Sequence, residues 1–158
     1  MNTCSSLGIG LAGFGTVGSG VWNTLERNGE LITDRTGGGV RLHIAKILVR
    51  DPAKSRAITG DVPADMFTTD WRALVADPAV EIVVELIGGT TDAFDIVAAA
   101  LRAKKPVVTG NKALLAERGV ELFALSKEFD TPIHFEAAVA GGIPIIKTVQ
   151  DSFIGNRI

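Results

Sequence analysis

The sequence has no tyrosine, a single cysteine and only two histidines in 158 residues. Without tyrosine the chain supplies no phenolic acid or base, which excludes the Tyr–Lys chemistry of short-chain dehydrogenases. Cys4 stands in a polar N-terminal tail with no second cysteine to pair with, so disulfides are excluded. A reducing, cytoplasmic setting is expected. A basic surplus is also missing: sixteen Lys and Arg against eighteen Asp and Glu give a formal net charge of −2. A non-specific nucleic-acid binder needs that surplus, so no nucleic-acid partner is expected. No apolar run approaches the ~18 residues of a membrane span, and Met1 to Ser6 lacks the basic start of a signal peptide. Membrane association is therefore not expected. Repeats and low-complexity segments are absent as well.

What is present suits a single buried core. Hydrophobic residues make up 46%, the mean hydropathy is +0.28 and glycine occurs 18 times, which excludes a disordered chain. Short apolar runs alternate with segments of helical period. Leu7–Ala12 reads as a buried strand, followed by a glycine-rich turn and a helix from Val17 to about Asn28 or a little beyond. Thr36–Gly39 reads as a turn, Val40–Val49 as a strand and Arg50–Pro63 as a polar loop. Asp70–Val75 suits a short helix. Glu81–Ile87 reads as a strand, Ala93–Ala103 as a helix, Pro106–Thr109 as a strand and Asn111–Phe129 as a helix. A last strand over Pro132–Ala138 leads through Gly141-Gly142 to a helix begun by Pro144. Near-continuous apolar strands alternating with helices predict a parallel sheet covered on both faces, in an open, doubly wound α/β fold.

Gly13-Phe14-Gly15-Thr16-Val17-Gly18 is a G-x-G-x-x-G hexapeptide. Alone the string is weak; between an apolar strand and a helix it predicts a Rossmann-like dinucleotide site. Gly13 would make the tight turn, Gly15 would let a pyrophosphate approach the backbone, and Gly18 would let helix and strand pack closely. The helix N-terminus offers N–H groups and partial positive charge to the phosphates. At the end of the second strand, where an NAD site usually carries an acid, stands Arg50, followed by Asp51, Lys54 and Arg56. A guanidinium there favours the 2′-phosphate of NADP(H) through a charge-assisted contact. Asp51 and the third glycine keep NAD(H) as the alternative.

Gly88-Gly89-Thr90 and Gly110-Asn111-Lys112 fall at the carboxyl edge of the same sheet, where the ligand crevice of such folds opens. The glycines would admit the cofactor, and Thr90 would reach ribose or nicotinamide. Lys112 would hold a substrate oxygen or stabilise developing charge; a solvated surface lysine is the other reading. Glu136 closes an apolar strand and needs a partner there. Turn N–H groups or a hard cation held with backbone carbonyls would both serve. His43 and His134 read as structural.

Four segments in order resemble the homoserine dehydrogenase family: Gly13–Gly18, Glu85–Gly89, Val108–Leu115 and Phe135–Ile145. The resemblance implies hydride transfer between NAD(P)H and L-aspartate 4-semialdehyde or L-homoserine, in threonine and methionine biosynthesis. It implies that Phe14, Thr16 and Val17 line the cofactor, that Arg50 meets the adenosine ribose or its phosphate, and that Thr90 and Lys112 lie near the nicotinamide. Lys112 matches a lysine the family places at the reacting centre. Glu136, with Val139, Gly141 and Ile143 through backbone oxygen, matches a site for a monovalent cation such as Na+. Family members continue past a segment like Ile154–Ile158 into a substrate and dimerisation domain. Residues 1–150 are thus expected to form the NAD(P)-binding domain and 151–158 to begin the connection onward.

The isolated domain is expected to bind cofactor with little turnover, its longer parent to be a homo-oligomer acting on a small molecule. Two alternatives stand beside this: a stand-alone NAD(P)-sensing module, and the cofactor domain of another two-domain oxidoreductase such as the glucose-fructose oxidoreductase group. The latter group usually has Glu-Lys-Pro after the fourth strand, where this chain has Gly110-Asn111-Lys112.

Overall fold

The computed structural model describes residues 5–54 and 62–152. Cys4, Arg56 and the segment 154–158, each of which entered the sequence reading, lie outside the described residues. The elements run β1 (Ser5–Ala12), α1 (Thr16–Arg35), β2 (Val40–Leu48), β3 (Phe67–Thr68), α2 (Trp71–Ala76), β4 (Ile82–Glu85), α3 (Thr91–Arg102), β5 (Val107–Thr109), α4 (Lys112–Glu128), β6 (Ile133–His134) and α5 (Ile145–Ser152). Turns of 3-10 helix occupy Ala64–Met66 and Glu136–Ala138. Six strands form one sheet in the order β3-β2-β1-β4-β5-β6, and every pairing is parallel. This is the expected doubly wound α/β architecture, with its topological switch between β1 and β4.

Strand alternation divides the apolar side chains between two clusters. Ile9 and Leu11 of β1 join Trp22 of α1, Ile44 and Ile47 of β2, and Phe14 on one face. Ala12 of β1 joins Val83, Val107, Leu74 of α2, Ile96 and Leu101 of α3, and Leu114 and Leu122 of α4 in the other cluster. Ile44 and Ile47 differ in parity along β2 yet share a cluster. The register explains this: Ile9 pairs with Ile44 but Gly10 pairs with Lys46, so Ala45 is an inserted residue that reverses the alternation. Gly10 is required beside it, because a Cβ there would lie 2.7 Å from Val80 Cγ1.

Several boundaries differ from the sequence reading for identifiable reasons. Helix α1 continues to Arg35, further than the expected end at about Asn28 or a little beyond. Gly29 stays helical, and its carbonyl accepts a 2.9 Å hydrogen bond from the Thr33 hydroxyl. The short edge strand β3 was not legible, because its two residues carry no period. The strand expected over 132–138 shrinks to Ile133–His134, and Glu136 opens a 3-10 turn instead of closing a strand. The expectation of a sheet covered on both faces holds unevenly. Among the described residues, α1 is the only α-helix in the first cluster, and Ile82 and Val84 of β4 remain half-buried there. Helix α5 spans Ile145–Ser152.

Candidate functional site at the carboxyl edge

Parallel strands place the ends of β1, β2, β4 and β5 along one edge, and α1, α3 and α4 begin there. Each helix presents N–H groups that no earlier turn can satisfy, so the edge favours negative charge. The glycine turn after β1 is built as its spacing predicts. Gly13 has φ +104°, and a Cβ on it would lie 2.8 Å from the Leu86 carbonyl oxygen. Its N–H donates to the Leu48 carbonyl at 2.9 Å, tying the turn to β2. A Cβ on Gly18 would fall 2.1 Å from the Gly13 carbonyl oxygen, so glycine is obligatory for α1 to pack this closely.

Gly15 differs from both neighbours in the motif. It is the N-cap of α1, it has no side-chain cap, and nothing lies within 4 Å of a Cβ built on it. Gly15, Thr16 and Val17 are exposed. The first turn of α1 is therefore open to an approaching anion. Phe14 points the other way: it is 4% exposed and packs edge-on against Trp22 and Phe67, with ring centroids 6.5 and 5.7 Å away. Its side chain belongs to the core, so only its backbone faces the turn. An open groove of about 540 Å³ runs from Thr16 and Val17 along α1 past Ile9 and Leu42. Its lining is apolar and carries no charged group, which suits packing rather than phosphate.

At the end of β2, Arg50 is exposed. Asp51 turns back on its own loop, where Oδ1 accepts from the N–H groups of Ala53 (3.0 Å) and Lys54 (3.2 Å). One oxygen of its carboxylate is thus engaged in a local turn, while Arg50 and Lys54 are exposed basic groups beside it.

The ends of β4 and β5 are joined by a buried polar network that the sequence reading did not single out. Glu85 is fully buried. Its Oε2 accepts from the Thr109 hydroxyl at 2.6 Å, and its Oε1 accepts from the Ile87 N–H at 3.0 Å and Asn111 Nδ2 at 3.4 Å. Asn111 Nδ2 also donates to the Gly89 carbonyl at 2.7 Å, while Asn111 Oδ1 caps α4 by accepting from the Leu114 N–H at 3.1 Å. The signal for this network was available: Glu85 is the one charged residue inside Ile82–Ile87, and a buried charge needs partners. Gly88 and Gly89 both adopt positive φ, 72° and 73°. Thr90 is the N-cap of α3 without using its hydroxyl as a cap. Lys112 is the exposed first residue of α4, directly after Asn111.

Glu136 has the N–H partners that one sequence reading anticipated. Oε1 accepts from Ile146 at 3.0 Å and Oε2 from Lys147 at 3.2 Å, so the carboxylate caps α5. The Ile143 carbonyl accepts from the Ile145 N–H at 2.8 Å. The atoms that Glu136, Val139, Gly141 and Ile143 would offer are all oxygen, the type hard cations prefer. Among the described residues, no group of three or more His, Cys, Asp or Glu side chains converges. No helix among them is long and apolar enough to cross a membrane.

Comparison with known proteins agrees with this geometry. Residues 13–136 match the sequence family described as homoserine dehydrogenase, NAD binding domain. The chain is 45% identical over 150 residues to a homoserine dehydrogenase of Pseudomonas aeruginosa, covering 95% of this chain and 33% of that protein. Its fold superposes on a homoserine dehydrogenase from Thiobacillus denitrificans with TM-score 0.88 and 42% identity, covering 100% of this chain and 36% of the other. A hyperthermophilic archaeal homoserine dehydrogenase solved in complex with NADPH aligns with TM-score 0.75 and 25% identity, over 95% of this chain and 50% of the other. The chain thus spans about a third of the length of the curated relatives it matches.

Proposed function

This chain belongs to the homoserine dehydrogenase NAD-binding domain family, and we propose that it binds NADP(H) along the carboxyl edge of its sheet. The observation that carries this reading is the exposed first turn of α1 behind Gly15, with no side-chain cap and open space above it. The backbone of Gly13 to Gly18 would hold the pyrophosphate, with Thr16 and Val17 flanking it. Arg50 would meet the 2′-phosphate of the adenosine ribose, with Asp51 turned back through Oδ1 onto its own loop. Gly88, Gly89 and Thr90 would border the nicotinamide end.

When bound, the dinucleotide supplies the hydride acceptor or donor. Lys112, at the start of α4, would hold the oxygen of a small hydroxyl or aldehyde substrate and counter charge developing on it. In the longer parent that substrate would be L-homoserine or L-aspartate 4-semialdehyde. A monovalent cation such as Na+ would sit between Glu136 and the carbonyls of Val139, Gly141 and Ile143, fixing the turn that follows β6. Residues 1–150 would act as the cofactor-binding unit of a homo-oligomeric enzyme, and this chain alone would turn over little.

Calorimetric titration of the chain with NADPH and NADH, alongside an assay of homoserine oxidation, tests the proposal. Saturable binding, tighter for NADPH, with negligible turnover is expected. Tighter binding of NADH would overturn the cofactor preference, and turnover comparable to a longer homoserine dehydrogenase would overturn the division of labour.

A further inference from the structure

We infer that Glu85 is the positioning residue for the nicotinamide half of the site, tying the Gly88–Gly89 turn to the start of α4 and so fixing Lys112. The inference rests on the dinucleotide reading proposed above. Burying a carboxylate is costly, and an apolar side chain of similar volume is often at least as good for stability. Glu85 is fully buried nonetheless, and all of its partners are neutral donors. Those partners sit at the carboxyl edge of the sheet. They are Ile87, just before the glycine turn, and Thr109 and Asn111, which flank the opening of α4.

The glycine turn needs an outside hold. Gly88 and Gly89 carry no side chains, both have positive φ, and nothing lies within 4 Å of a Cβ built on either. Packing therefore does not fix them. The hydrogen bond from Asn111 Nδ2 to the Gly89 carbonyl does, at 2.7 Å. Asn111 is in turn oriented from three sides: its Nδ2 meets Glu85, its N–H donates to the Thr109 hydroxyl at 3.0 Å, and its Oδ1 caps α4. Thr109 accepts that N–H while its own hydrogen points at Glu85, 2.6 Å away. Removing the carboxylate frees the rotor of Thr109 and one side of Asn111 together, and the two loops lose their common anchor. The adenine half of the site, around Gly13–Gly18 and Arg50, shares none of these bonds.

That separation gives a test by comparing two probes. NADPH engages both halves, whereas 2′,5′-ADP contains only the adenosine half with its phosphate. In calorimetric titrations, Glu85→Ala should weaken NADPH about tenfold while leaving 2′,5′-ADP within about twofold. Glu85→Gln should recover most of the loss, because its amide oxygen still accepts from Ile87 and its amide NH2 donates to the second lone pair of Thr109 Oγ1. Where Glu85→Ala does not fold, Thr109→Val removes the hydroxyl alone and the same ratio of the two probes is read. Equal weakening of both probes would reduce Glu85 to a general stabiliser and overturn the inference, as would an unchanged NADPH affinity. If the unaltered chain binds neither probe, the cofactor reading itself fails, and this inference with it.

Discussion

Thr109 Oγ1 donates a 2.6 Å hydrogen bond to Glu85 Oε2, and both residues are fully buried at the ends of adjacent parallel strands. This contact couples β4 to β5 at the edge where three helices begin. On one side lies the glycine turn Gly88–Gly89, on the other the N-cap Asn111 and Lys112. The α1 side of the edge is built differently, mainly from backbone and glycines, with the Ser19 hydroxyl donating to the Gly15 carbonyl at 2.8 Å. The candidate site therefore has a bare, anion-seeking half and a half held by buried side chains.

The glycines of the first turn are predicted to be unequal. Gly18→Ala places a Cβ 2.1 Å from the Gly13 carbonyl oxygen, backbone against backbone. It should destabilise the chain by about 1–3 kcal/mol or more, as overpacking does. Gly20→Ala meets nothing within 4 Å in the interior of the same helix. It should stabilise by up to about 1 kcal/mol from helix propensity. Urea denaturation of the two variants checks the contrast.

Cofactor choice is predicted to rest on Arg50. Arg50→Glu should weaken NADPH by at least about tenfold, since a hydrogen bond to a charged group contributes roughly 1.5–3 kcal/mol. NADH, lacking the 2′-phosphate, should change much less. Competitive titration with the two nucleotides measures the difference; equal losses would remove Arg50 from the site.

Much of this was legible in the chain itself. The order of strands and helices followed from apolar runs and helical periods, and Gly13, Gly15 and Gly18 have the surroundings their spacing implied. Edges were less legible. Phe67–Thr68 is too short to carry a period, and the helix passes through Gly29 to Arg35, further than its apolar period showed. Phe14 was read from its place in the motif, but its ring faces Trp22 and Phe67, residues distant in sequence. The Glu85 network was hidden for a similar reason. Its members come from two strand ends and two turns, and only the sheet register brings Glu85 opposite Thr109.

A pH dependence is predicted away from the site. The Asp77 carboxyl is held below its ordinary value of 3.8, first by the Ala79 N–H and then by Lys46, against the opposing effect of burial. The Ala79 bond is 2.9 Å and the Lys46 ion pair 3.3 Å. A carboxyl with a lowered folded-state pKa stabilises the fold above its unfolded value, and this contribution is lost as pH falls through the folded one. Asp77→Asn should therefore destabilise the chain near neutrality, and the gap to the unaltered chain should close as pH falls below the ordinary carboxyl value of 3.8 and through the lower folded one. Denaturation midpoints followed across that range provide the check.

The proposed cation site makes a prediction that separates it from simple helix capping. If Glu136 and the neighbouring carbonyls hold a monovalent cation, Na+ or K+ should raise the thermal midpoint above that in an equal concentration of tetramethylammonium. Glu136→Ala should abolish that difference. A Glu136 that only caps α5 through Ile146 and Lys147 would give no ion-specific response in either protein.

The central claim, that the carboxyl edge holds a dinucleotide with its pyrophosphate on the first turn of α1, is tested most directly by an amide NMR titration of the chain with NADPH. The account predicts saturable shifts concentrated at Gly13–Gly18, Arg50, Gly88–Thr90 and Asn111–Lys112. A folded chain whose amides do not respond, or respond mainly in the apolar groove along α1, would contradict it.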